Sequence, residues 1–232
     1  MRVAIMQPYF FPYLGYFQLI NAVDTFVIYD DVNFINRGWI NRNNILVNNN
    51  ASLITVPLKE ASQNKLINEL QVVDDPKWRS KLLKSIEFAY KKAPLFNQVF
   101  PVLETAIRFN ETNLSLFLFH ALKQVLTYLE IETVLKVSSV TYANRQLKGM
   151  NRIIDICIKE KATQYINPIG GIELYNKDHF IARGIELSFI KTGDVYYNQF
   201  IDDFVPNLSI IDFLMFNSKE SIKNQLSNYK LI

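Results

Sequence analysis

The chain has 232 residues, of which 49% are hydrophobic and 20% charged: enough apolar material for a sizeable core, and too few charges for a disordered chain. A formal charge of +3, with Lys and Arg spread along the chain, leaves no basic footprint of a nucleic-acid binder, and no run of roughly 18 apolar residues is present to span a bilayer. The single cysteine, Cys157, rules out an internal disulfide, and Met1 leads straight into a strand pattern with no leader, so a cytoplasmic protein is expected.

RVAIM (2–6) reads as a short buried strand, FQLINAV (17–23) has helical spacing, and TFVIYDD, from Thr25, is a second β-branched and aromatic run. Strand, loop, helix, strand in that order predicts a parallel pair with a right-handed crossover. That puts the 7–16 loop at the carboxyl end of the first strand, where open α/β sheets hold their ligands. ASLITVPLK (51–59) is strand-like, with Pro57 marking an end or an edge.

From Asp75 to about Glu130 the pattern is helical. DPKWRSKLLKSIEFAYKK places an aspartate at the cap and Pro76 in the first turn, Pro94 and Pro101 are expected to break up a second helical stretch, and a third starts near Thr112 or Asn113. TVLKVSS (133–139), LKGMNRIIDICIKEK (147–161) and TQYINP (163–168) repeat strand, helix, strand. IELSFIKT (185–192) is a further strand, and NLSIIDFLMFN and KESIKNQLSNY are helical. The expectation is one α/β domain over residues 1–232: a mostly parallel open sheet with a helical insertion at about 75–130.

Two constellations can carry chemistry. QPYFFPYLGY is continued after the second strand by YDDVNFINRGWINRNN, which packs Asp30, Asp31, Asn33, Arg37, Trp39, Asn41 and Arg42 near the predicted mouth. Hydrogen-bonding side chains and two guanidiniums of this kind suit a polar or phosphorylated small molecule, and a surface turn with an Asp31–Arg37 pair is the plainer alternative. YINPIGGIELY supplies Gly170 and Gly171, either a close approach to a ligand or a simple tight turn. Nearer the C-terminus lie Tyr197, Gln199, Ser209 and Asp212, of which Ser209 and Asp212 read first as the start of a helix. No dinucleotide fingerprint, P-loop or GxSxG elbow is present. With His120 and His179 as the only histidines, no metal site is expected.

The motifs QPYFFPYLGYF, DTFVIYDDVNFINRGWINRN, TVPLK, YKKAP, RIIDICIKEKATQYINPIGG with the following Tyr175, and YNQF…VPNLSIIDFLMFNSKE resemble the WbqC-like proteins, in order and over almost the whole chain. The resemblance implies a bacterial protein of surface-polysaccharide (O-antigen type) synthesis, acting as an acyl or aminoacyl transferase, with glycine a suggested donor, that forms an amide on a nucleotide-linked amino sugar. Asp31, with Asp30 as alternate, is then the base that keeps the amine neutral. Gln7, Tyr9, Tyr16, Asn33, Arg37, Trp39, Asn41, Arg42, Gly170, Gly171, Tyr175 and Gln199 are the expected substrate-binding set, with Arg37 and Arg42 on an anionic group and Trp39 or Tyr9 stacked on a ring. The layout around the first strand is also similar to nucleotidyltransferase-like Rossmann enzymes of the HIGH-motif type, whose histidines are absent here. An activated acyl donor and ATP both stay open as cosubstrate. A non-catalytic nucleotide-sugar-binding accessory protein is the competing expectation.

Overall fold

A computed structural model describes residues 1–200 and 203–232. In chain order the first half holds β1 (Arg2–Met6), α1 (Leu14–Asn21), β2 (Thr25–Ile28), β3 (Arg42–Val47), β4 (Asn50–Thr55), β5 (Leu58–Lys59), β6 (Gln71–Val72), α2 (Pro76–Tyr90), α3 (Phe96–Arg108) and α4 (Leu114–Leu129). The second half holds β7 (Val134–Lys136), α5 (Gly149–Lys159), β8 (Gln164–Pro168), α6 (Lys177–Ile181), β9 (Glu186–Thr192), α7 (Ile210–Phe216), α8 (Lys219–Leu226) and β10 (Tyr229–Leu231).

Six strands form one sheet in the order β10-β9-β8-β1-β2-β7. Every pairing in it is parallel except β9 with β10, where Leu231 lies opposite Ile190. β1 sits in the middle. The chain leaves it through β2 towards β7, then crosses back over it to β8 and β9, so the direction of winding reverses between β1 and β8. At such a reversal the connections at the carboxyl edge diverge and open a crevice. This is the mostly parallel α/β sheet that the strand–helix alternation predicts.

The alternation of side chains along the strands gives the sheet two apolar faces. Ala4, Phe26, Ile28, Ile166 and Ile190 pack with Phe17, Leu19 and Ile20 of α1. Val3, Ile5, Val27, Tyr165 and Leu187 pack with Ile153, Ile156 and Cys157 of α5. The Cys157 thiol is buried, and burial pushes it up to about 12. Leu83, Ile86 and Tyr90 of α2, Leu103 of α3 and Phe117 of α4 join the same cluster as α1, reached through Phe10 and Phe11.

Helix starts follow their caps. Asp75 accepts from the Lys77 N–H at 2.9 Å, and the Asn113 side chain accepts from the Leu116 N–H at 3.1 Å. Several expectations are corrected. α3 runs through Pro101, near its start, where the helical donor lost is the one to the carbonyl of Asn97, an exposed residue. The 51–59 run is not one strand: it breaks before Pro57, with β4 paired to β3 and β5 to β6 in separate two-stranded ribbons. The Asn-rich end of the 29–44 stretch is already strand from Arg42. α1 begins at Leu14 rather than Phe17.

Candidate functional site

The backbone leaving β1 is held from several sides. The Tyr16 hydroxyl donates to the Gln7 carbonyl at 2.8 Å, and the Phe10 N–H donates to the Trp39 carbonyl at 3.2 Å. Phe11 takes a left-handed φ of 41°, unusual for an aromatic residue. Its carbonyl accepts from Asn43 Nδ2 at 2.9 Å and from Ser209 Oγ at 2.7 Å, while the Phe10 and Phe11 rings are sunk in the core. The loop is thus a fixed shelf at the carboxyl edge, stabilised by β3 and by the start of α7.

A cleft of about 520 Å³ opens beside this shelf. The start of α1 forms one wall, Thr192 and Gly193 at the end of β9 the floor, and Tyr196, Tyr197, Phe204 and Asn207 the far side. Among the described residues no side chain caps α1, so the first N–H groups of the helix, at Leu14 and Gly15 in the cleft wall, have no side-chain acceptor there. Gly15 is required by close approach: a Cβ there would meet the Tyr13 ring and lie 2.7 Å from Thr192 Oγ1. A smaller cleft of about 200 Å³ adjoins the first across Tyr13 and Asn207, and is lined by Tyr9, Pro12, Trp39 and Asn43.

Behind Tyr197 lies a buried acid. Asp212 on α7 has 0% exposure, and its Oδ2 accepts from the Tyr197 hydroxyl at 2.7 Å and from Gln199 Nε2 at 2.8 Å. Its Oδ1 accepts from the Tyr90 hydroxyl at 2.8 Å, and the Tyr90 oxygen in turn accepts the Leu46 N–H at 2.9 Å. Burial raises the Asp212 carboxyl above the ordinary carboxylate value, and the three donors only partly offset this. Burial and the neighbouring Asp212 raise the Tyr197 phenol as well.

Tyr9 and Trp39 stand in the small cleft, Trp39 with 46% of its surface exposed, and Gln199 braces the wall of the large one. Gln7 and Tyr16 tie the shelf to α1. Asn41 donates to the Val56 carbonyl at 2.9 Å, Asn33 to the Gln63 carbonyl at 3.0 Å, and Arg42 spends its guanidinium on the carbonyls of Gly38 and Arg37. The Arg37 side chain is exposed.

Asp30 and Asp31 sit elsewhere, beyond the end of β2. Asp30 accepts from Ser115 and Ser138 hydroxyls at 2.6 Å each and from the Ser139 N–H at 3.1 Å. Asp31, 3% exposed, is paired with Arg152 Nη2 of α5 at 2.5 Å and with the Ser139 hydroxyl. Gly170 and Gly171 lie in a 3₁₀ turn after β8, where Gly171 makes room for the Asn167 amide. Tyr175 packs edge-on against Tyr165 and Phe180 on the α5 side. Tyr13, Tyr197 and Asp212 are functional candidates that reading along the chain left out of the site. Asp212 reads along the chain as a helix-start acid, and no local pattern marks its tie to Tyr197, fifteen residues away.

Among the described residues no three His, Cys, Asp or Glu side chains gather as metal ligands, and no helix is long and apolar enough to cross a membrane. No solved structure matches the chain at a significant level. The "Uncharacterized protein Rv1507c" of Mycobacterium tuberculosis is 32% identical over 219 residues, 93% of each chain. The model of the WbqC-like protein family matches residues 7–224, from the shelf after β1 to α8, and so takes in every element that builds the two clefts. On this match the chain belongs to the WbqC-like protein family.

Proposed function

We propose that the protein is a group-transfer enzyme that binds a nucleotide-linked amino sugar across the two clefts and forms an amide on its amine, with an acyl or aminoacyl donor. The observation that carries this reading is the pair of adjoining clefts at the winding reversal of the sheet. The uncapped N-terminus of α1 opens into one and an exposed aromatic platform into the other. Free N–H groups at a helix start attract phosphate oxygens, which gives the diphosphate a place at Leu14 and Gly15. Trp39 with Tyr9 offers an apolar platform for the base, and Tyr196 and Phe204 offer faces for the sugar ring, which brings its amine to the Tyr197 wall.

In amide formation the amine nitrogen attacks the acyl carbonyl, the bond to the donor's leaving group breaks with its electron pair, and the amine proton must leave. The Tyr197–Asp212 pair is placed to take it: the proton passes to the Tyr197 oxygen as the phenol proton moves to Asp212. This pair is preferred to Asp31, whose carboxylate is committed to Arg152. A second reading, ATP-dependent ligation, draws on the same uncapped α1 directly after the first strand.

The test is thermal shift with UDP- and dTDP-linked amino sugars and with ATP, followed by mass spectrometry for an amide product. A ligand at about 100 times its Kd stabilises by about 2.7 kcal/mol, a rise of roughly 5–10 °C for a chain of this length. Stabilisation by a nucleotide sugar that Trp39→Ala abolishes supports the proposal. No shift with any nucleotide or nucleotide sugar overturns it, and a shift without product in the presence of donors leaves a binding protein in its place.

A further inference from the structure

The outer face of α2 carries a feature that the clefts do not use. At roughly 100° per residue, Lys77, Lys81, Lys84, Phe88 and Lys91 fall on one narrow stripe, with Lys92 beside it. All are exposed, and Lys91 continues the helical conformation at the cap. Between residues 77 and 92 the chain has six basic residues and one acid, so the remainder, with nineteen basic and twenty-one acidic, is slightly negative. The even spread of Lys and Arg read along the whole sequence therefore hides one concentrated face. Among the described residues none of these lysines forms an ion pair with a carboxylate.

Apolar side chains stand inside the stripe. Phe88 is 61% exposed, and next to it the β3–β4 ribbon presents Leu53, 51% exposed, with Val47, around a shallow groove that Lys81 and Lys84 close. Most of this aromatic side chain stands in water among lysines. The one arginine of the segment, Arg79, points inwards and stacks on Trp78. The surface thus offers diffuse ammonium charge and an apolar centre, without the guanidinium forks that pair with individual phosphates.

We propose that this face of α2 docks the protein on an anionic membrane surface, its lysines among the lipid phosphates and Phe88 and Leu53 seated just beneath them. A basic helical face with exposed apolar residues is the pattern that lies in the plane of a charged interface, and each lysine near such a surface adds roughly fivefold to binding. The face is separate from both clefts, so the proposal stands whatever they bind.

The test is co-sedimentation of the full chain with vesicles of phosphatidylcholine alone and with about one third phosphatidylglycerol, at low and high salt. Binding is expected to be roughly tenfold or more stronger on the anionic vesicles and to fall steeply by about 0.5 M salt. Lys81→Glu with Lys84→Glu should lose at least about tenfold, and Phe88→Ser roughly fivefold, with circular dichroism unchanged because all three side chains are exposed. Equal binding to neutral and anionic vesicles, or binding untouched by the lysine reversals, overturns the proposal. So does tighter lysine-dependent binding to a single-stranded RNA than to the vesicles, and so does Phe88→Ser binding like the unmodified chain.

Discussion

Replacing Arg152 by Met leaves a buried carboxylate without its cation. Arg152 Nη2 meets Asp31 Oδ2 at 2.5 Å, Nη1 donates to the Asp31 carbonyl at 3.2 Å, and Nε donates to Asn144 Oδ1 at 3.0 Å. The guanidinium also lies 4.9 Å above the Tyr29 ring. Removing one member of a buried ion pair costs about 3–5 kcal/mol, mostly because the partner charge stays dehydrated, and losing the ring contact adds up to about 1 kcal/mol. The expected loss is therefore about 3–6 kcal/mol, a fifth or more of the total for many domains. Urea denaturation measures it. The double replacement Arg152→Met with Asp31→Leu should be more stable than Arg152→Met alone, by at least about 2 kcal/mol, because no unpaired charge remains. A loss below about 1.5 kcal/mol for Arg152→Met would refute the reasoning, since it would mean that Asp31 reaches water and is free for other work.

Gly15→Ala sets helix propensity against space. Alanine favours the helix by about 1 kcal/mol, but its Cβ collides with the Tyr13 ring and crowds Thr192 Oγ1 at 2.7 Å, so Tyr13 must turn into the cleft. The melting temperature should move by only a few degrees while affinity for a nucleotide sugar falls by roughly tenfold, read by calorimetry; unchanged affinity counts against the placement of the ligand at α1. Asp212→Asn tests the buried acid through pH. Burial raises the folded Asp212 above its ordinary 3.8, so the native state holds this proton more tightly than the unfolded chain does. That contribution to stability is fully present below the unfolded value and is lost as pH rises through the folded one. The stability of the unmodified chain minus that of Asp212→Asn should therefore decline on going from about pH 4 to pH 7. A difference that stays flat or rises with pH rules the shift out.

The sheet was legible because its strands are short apolar runs alternating with periodic helical runs, as in RVAIM, TFVIYDD and TQYINP. β3 was not, although the strand-like 51–59 run announced its partner β4. The sequence around β3, RNNILVNNN, is about half asparagine and offers only Ile45 and Leu46 to the core. The position of the shelf after β1 followed from the order of elements, because a parallel crossover leaves its loop at the carboxyl edge. The opposite wall could not follow from order, since Thr192 and Tyr197 reach that edge from a part of the chain far beyond β1. The pairing of Asp31 with Arg152 spans 121 residues, and no local pattern in either segment announces it.

The two buried acid clusters at this end of the molecule differ in the sign of what surrounds them. Asp31 faces a guanidinium, and Asp30 faces only hydroxyl and amide donors, both sealed beyond β2. A carboxylate bonded to a fixed cation has its oxygens committed and is not free to serve a substrate. Asp212 has three neutral donors and no cation bonded to it, and one of those donors, Tyr197, lines the cleft. A carboxylate in such surroundings is dehydrated enough to welcome a proton, yet hydrogen-bonded enough to remain in place when it has none. That balance is what a proton acceptor behind a reacting amine needs. It is also why chemistry is better sought at the Tyr197 wall than at the adjacent acids Asp30 and Asp31, although the latter are the more conspicuous pair in the sequence.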